Sequence, residues 1–327
     1  MLNSVWKGSA PLTLTGWLMV IALAGAVTGL AIDPRVIGGA PAWMKPAKFA
    51  VSIAIYTFTL AWIFSLIPEW TKTRRVVGWL TAVTMVLEMA LISLQAFRGT
   101  TSHFNVATTF DGAVFSVMGA AIVVQTFSSV AVAVALWRHP FHDRAMGWAL
   151  RLGMIITIAG AMTGGLMTRP TAQQLEAARA GERMTIVGAH TVGAADGGAG
   201  LPGTGWSTEY GDLRVPHFLG LHALQALPLI ALVLARRRID EAVRVRVMRA
   251  AAASYAALYG ILLSQALRGQ PVLSADALQL ALLGAWALAT LILAVIPILR
   301  VQPARGPARP VGLDTKARRD RLSAPTT

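Results

Sequence analysis

No cysteine occurs in the 327 residues, which excludes disulfide frameworks, thiolate zinc sites, iron–sulfur clusters and thiol nucleophiles together. Charge is scarce as well: Asp, Glu, Lys and Arg make up 13% of the chain, about half the share of a soluble domain. Acids are the rarer sign, fifteen against twenty-nine bases, and there are six histidines. No P-loop, dinucleotide fingerprint or Gly-x-Ser-x-Gly elbow is present, so ATP-driven transport by this chain alone is not expected. What is abundant is apolar: 55% of residues are hydrophobic, and mean hydropathy is +0.59. This composition reads as an all-α, polytopic integral membrane protein.

A bilayer core of roughly 30 Å takes about 20 apolar residues per helix. Eight stretches meet that length, at 12–32, 48–68, 76–97, 112–137, 148–168, 216–235, 247–267 and 276–299. The first is too long for a signal-peptide core and has no small-residue cleavage site, so it counts as a span. Trp43, Trp70, Trp79, Trp137 and Trp148 lie near predicted span ends, where an aromatic belt belongs. With eight spans, twenty basic residues fall on the side of the termini and nine on the other. The positive-inside rule then places both termini in the cytoplasm, in a cytoplasmic (inner) membrane. The net charge of +14 is therefore a topology signal, and no nucleic-acid partner is expected. The Pro/Arg/Ala-rich tail 300–327 is expected to be disordered, cytoplasmic and drawn to anionic lipid.

The chain repeats itself in order. Ala24-Gly-Ala-Val-Thr-Gly29 matches Ala159-Gly-Ala-Met-Thr-Gly164, Lys48-Phe49 matches His217-Phe218, and Gln95-Ala-Phe-Arg-Gly99 matches Gln265-Ala-Leu-Arg-Gly269. These matches predict a tandem 4+4 duplication, 1–147 and 148–299, with equivalent residues at the same membrane face. The small Ala/Gly/Thr faces of the first and fifth spans suit close helix contact. The one long loop, 169–215, is expected outside; within it 171–180 reads as a short helix with Thr171 as N-cap and Gly181 as C-cap. A loop of that length is more often a lid or binding element than a connector.

Unusual polar residues gather at the outer side: Asp33-Pro-Arg35, Trp43-Met-Lys-Pro-Ala-Lys-Phe49, Ser102-His-Phe-Asn105, His190, and Gly211-Asp-Leu-Arg-Val-Pro-His217 running on to His222 and Gln225. In these runs the chain resembles a group of uncharacterised bacterial eight-span membrane proteins. The likeness covers most of the chain outside the tail and implies the eight-span fold but no activity. His217-Phe-Leu-Gly-Leu-His222 is also similar, more remotely, to a heme-ligating segment of heme A synthase, a duplicated four-helix family. Lys48 stands where that family's first-half histidine would be, so paired intramembrane heme ligation is not implied.

Glu88 lies near the centre of the third span, two turns before Gln95 on the same face, where a lone carboxylate is expensive to ionise. Glu88, Gln95, Arg98, His222 and Gln225 are therefore candidate catalytic residues; His103, His190, His217, His222 and Arg268 are candidates for holding a cofactor. His103, His190, His217 and Asp212 are a candidate metal set. His217 and His222 are five residues apart, about 140° around one helix, so one ion would not take both. Asp111 and Asp276 are expected as N-caps, and His139 and His142 as solvated loop residues. The functional expectation is an outward-facing polar pocket for a small molecule, handling heme b, a quinone or a divalent metal. A small-solute transporter or channel, or a subunit that needs a protein partner, is the alternative.

Overall fold

A computed structural model describes residues 2–299, with side chains over 3–293; the basic tail expected to be disordered lies outside the described residues. Among the described residues the regular structure is almost all helix. The short α1 (Leu2–Gly8) leads into α2 (Ala10–Ile32), α3 (Met44–Ser65), α4 (Thr71–Phe97), α5 (Thr109–Arg138) and α6 (Arg144–Met167). After α7 (Ala172–Arg179) come α8 (Arg214–Leu221), α9 (Ala223–Ala235), α10 (Glu241–Leu267) and α11 (Ala277–Leu299). The strands are two-residue pairs in the loops: β1 (Val36–Ile37) with β2 (Ala40–Pro41), and β3 (Thr191–Val192) with β4 (Gly211–Asp212), both antiparallel.

Six helices among the described residues, α2 to α6 and α10, are long and apolar enough to cross a bilayer; α8 with α9 makes a seventh if that bent pair is one span. The protein is accordingly a multi-pass membrane protein. Large side chains such as Ile21, Phe127 and Leu229 are exposed, as a lipid-facing surface requires, because lipid rather than water is their solvent.

The helix starts follow from short polar signals. Thr108 caps α5 by accepting from the Asp111 backbone N–H, and Asp143 caps α6 by accepting from Met146 N–H. Asp111 is thus three residues inside its helix rather than the cap, and its carboxylate accepts from the Thr108 hydroxyl at 2.6 Å. Asp276 does cap α11, accepting from Gln279 N–H at 2.7 Å. The loop helix α7 opens on the full Thr171/Gln174 capping box. Its C-cap is Ala180, with Gly181 following at φ +86°. His139 is less solvated than expected: its ring packs edge-on to Phe141 and stands 3.3 Å from Glu69.

Two features position the site. α6 crosses α8 at Gly160 and Gly220, where a Cβ on Gly160 would stand 2.7 Å from Gly220 Cα. Small residues therefore permit the contact. The expected single span 216–235 is instead two helices meeting at His222 with a 43° bend. Pro228 lies one turn beyond Leu224, whose carbonyl its ring leaves without the usual i+4 donor. Both histidines lie on the α8 side of the bend, the His222 N–H still bonding Phe218 O, so the bend redirects α9 rather than the pair.

At the opposite end, the core is a dry cluster of Leu60, Phe64, Val132, Leu136 and Leu150. The long loop forms a lid over the other end. Val106 N–H donates to Thr185 O and Val187 N–H to Phe104 O, so 104–106 pairs with 185–187. Arg183 reaches Ala107 O at 2.8 Å, and Leu213 N–H donates to His190 O.

Candidate functional site

Beneath the lid the protein gathers Lys45 from the first turn of α3, Glu88 from α4, His103 from the α4–α5 loop, His190 and Asp196 from the lid, and His217 from α8. His103 Nε2 stands 3.5 Å from Glu88 Oε1. Lys45, His190 and His217 are all close enough to act electrostatically on His103, and Lys45 also on Glu88 and Asp196. Glu88 is 1% exposed, and among the described residues neither of its oxygens has a hydrogen-bond partner.

Each histidine is oriented through Nδ1. His190 Nδ1 meets Asp196 Oδ2 at 2.6 Å, His217 Nδ1 meets Gly160 O at 2.7 Å, and His103 Nδ1 meets Ser102 Oγ at 3.1 Å. Asp196 also accepts the backbone N–H groups of His190 and Thr191. Phe104 joins the parts. It is held at φ +66°, a region bulky side chains rarely adopt, and its ring packs edge-on to both His103 and His190. Phe49 of α3 covers the other side of His103.

Burial keeps His103 well below the ordinary histidine range, and Lys45, His190 and His217 push the same way. Burial also lowers His190, against the opposing pull of Asp196. Asp196 loses solvation, yet its bonds to His190 and Thr191 hold the carboxyl below the usual carboxylate range. The lid dyad therefore rests as a carboxylate beside a ring that resists protonation.

The other expected residues lie in separate places. Gln95, Arg98 and Asp111 form a clamp between α4 and α5, with Gln95 donating to Asp111 at 2.9 Å and Arg98 to Asp111 at 2.5 Å. Arg98 also bonds Gln95 Oε1 and lies 4.5 Å over the Phe110 ring. Arg268 plays the same part between α10 and α11, bonding Asp276 at 2.6 Å and Gln279 at 3.0 Å. At the bend, His222 packs against Phe218 at 4.3 Å, and Gln225 donates to Thr59 of α3 at 3.3 Å with its buried Oε1 on the His222 side.

The expected metal set does not assemble. Asp212, with a fully buried side chain, spends its carboxylate on Arg214 at 2.6 Å and on the Ser207 N–H at 2.8 Å. Among the described residues no three His, Asp or Glu side chains converge to hold a metal ion. Lys45 and Asp196 are the members that sequence reasoning left out of the site. Lys45 stood in a noted motif, and Asp196 in a Gly-rich run with no periodicity to mark it.

Comparison with known proteins adds no identity: no protein-family model, curated protein or solved structure matches this chain.

Proposed function

We propose that the Lys45–Glu88–His103 cluster binds the carbonyl end of a lipid-soluble redox carrier, a quinone, and exchanges protons with it. The observation that carries this reading is Glu88, whose buried carboxylate has both oxygens unbonded. Such a group is costly unless a proton or a ligand takes its lone pairs. Lys45 favours one of the ligands that the sequence left open. An ammonium beside the carboxylate repels a divalent cation, and it favours an oxygen that gains negative charge. A bis-histidine heme b would need two ring nitrogens facing one iron, whereas His103 turns its Nε2 toward Glu88 and His217 turns its Nδ1 to Gly160 O. On this reading Glu88 and His103 each accept one of the two hydroquinone hydroxyl protons, and His103 passes its proton toward the His190–Asp196 dyad. The two electrons pass to a one-electron redox centre carried by a protein partner, taken up in two steps.

The test is a titration of the detergent-purified full chain with decylubiquinone, followed by tryptophan quenching. Wild type should bind, and Glu88→Gln and Lys45→Ala should each weaken binding at least tenfold. Wild-type protein that neither carries quinone nor binds decylubiquinone sinks the reading, and a Soret band or stoichiometric metal would replace it with heme b or a metal. A second reading, a small-solute transporter, draws on the break at His222, because discontinuous helices mark binding sites in transporters.

The same proposal takes α11 as an eighth span, the halves 1–147 and 148–299 as a parallel duplication, and both termini as cytoplasmic in the inner membrane. The charge bias supports the orientation, and shared motifs support membership of the eight-span group that the chain resembles. Local geometry supports the duplication. Thr28 and Thr163 each bond the carbonyl four residues back, on Ala24 and Ala159. The clamps of Arg98 and Arg268 are built alike. Asp33 receives both the backbone and the guanidinium of Arg35, as Asp212 does from Arg214.

A further inference from the structure

The buried face of α4 does not become apolar below Glu88. Thr84, Thr81, Gly78 and Arg74 follow at steps of four, three, three and four residues, the spacing of one helix face. Counted from the lid end of α4 at Phe97, Glu88 lies about 14 Å down the axis, Thr84 about 20 Å and Thr81 about 24 Å. Thr81 is fully buried, and its hydroxyl has no hydrogen-bond partner among the described residues. Thr84 has several. Its hydroxyl faces Leu80 O at 2.8 Å and Gln125 Oε1 at 3.3 Å, and Gln125 in turn donates to Tyr56 Oη at 2.8 Å. One turn past Thr81, a Cβ on Gly78 would stand 2.7 Å from Ser9 Oγ, so the Ser9 hydroxyl rests on α4 there. Arg74 closes the series, donating to Lys7 O at 2.6 Å and Gly8 O at 2.8 Å.

We infer that this face is a proton path joining Glu88 to the end of the bundle that carries Arg74. The inference rests on the acid–base role given to Glu88 above. Two unbonded polar groups, the Glu88 carboxylate and the Thr81 hydroxyl, stand two turns apart with a hydrogen-bonded hydroxyl between them. Hydroxyls serving only to hold helices together would be bonded to a neighbouring helix, and that of Thr81 is not. Each gap of one turn is about 5 Å, which one water molecule bridges. Each hydroxyl accepts one proton and releases another, so a charge moves and no group is consumed. Gln125 and Tyr56 are positioning residues, fixing the direction of the Thr84 hydroxyl. From Glu88 the path meets His103, and through it the lid.

The full chain reconstituted in liposomes with trapped pyranine, under a potassium diffusion potential, reads the path directly. Wild type should acidify or alkalinise the lumen at least fivefold faster than protein-free liposomes. Thr81→Val and Thr84→Val, which keep side-chain shape, should each cut the rate at least fivefold, the first without loss in thermal midpoint and the second with a modest loss from its broken bond to Gln125, and Glu88→Gln should abolish it. The same preparations are titrated with decylubiquinone, and Thr81→Val should bind it as wild type does. Rates in both valine variants equal to wild type, or wild-type flux no faster than empty liposomes, overturn the path even when quinone binding is intact. Flux with the expected variant pattern but no quinone binding upholds the path and sinks the quinone reading alone.

Discussion

Single atoms decide the sign of several substitutions. Adding a methyl at Gly160 places it 2.6 Å from the Gly220 carbonyl carbon and disturbs the carbonyl that orients His217. Overpacking of this kind costs about 1–3 kcal/mol, so Gly160→Ala should lower the thermal midpoint of the detergent-solubilised protein. Gly165→Ala on the same helix meets nothing within 4 Å and should be neutral or slightly stabilising, because it restricts the unfolded chain. Thr81→Val differs again. It removes a buried hydroxyl that makes no bond, so stability should be unchanged or rise by about 1 kcal/mol. A fall beyond that would reveal a partner for Thr81. At this scale the sequence exposed the rare residues and hid their pairing. Glu88 is conspicuous as the sole acid in a long apolar run, but Lys45 belongs to its site only because α3 starts beside α4. Asp196 joins through a loop whose path no periodicity encodes.

Elements bounded by local chemistry were the most legible. The Thr171/Gln174 box sets the start of α7 within six residues of sequence, and the cap at Asp276 is equally local. The break at His222 was only partly legible, since Pro228 marks a disturbed helix but nothing in the apolar run 216–235 places the bend at His222. The lid offers a prediction of its own. Burial holds His103 and His190 below 6.5, the ordinary histidine value, in the closed state. An opened lid exposes them and binds more protons, so closure is fully stabilised above about 6.5 and is lost as pH falls below it. The depressed carboxyl of Asp196 contributes above its ordinary 3.8 and leaves the window between pH 5 and 7 unaffected. Hydrogen exchange of 169–215, corrected for intrinsic rates, should therefore be faster at pH 5.5 than at pH 8. The double variant His103→Gln/His190→Gln should flatten that difference. Equal protection of the wild-type lid at both values would separate the histidines from closure.

For the whole molecule, composition settled the membrane class because solvent enters through the sum of side chains rather than through their order. Function did not follow, because the cluster under the lid draws its members from both proposed halves. Lys45, Glu88 and His103 precede residue 147, whereas His190, Asp196 and His217 come after it. The halves also meet through Gln225 and Thr59, and the short connection between them runs from His139 to the Asp143 cap of α6. If 1–147 and 148–299 are units of a duplication, the covalent link at that turn adds little beyond raising their effective concentration. Cutting the chain after Pro140 leaves the Asp143 cap intact, so the two pieces, co-expressed with a tag on one, should co-purify in mild detergent. The assembled pieces should bind decylubiquinone within a few-fold of the intact chain, and neither piece alone should bind it. Pieces that separate, or a single piece that binds unaided, would mean that the site is not shared between two halves. Binding by the pair but by neither part fixes the lid, the bent helix and the Glu88 face of α4 as one assembly.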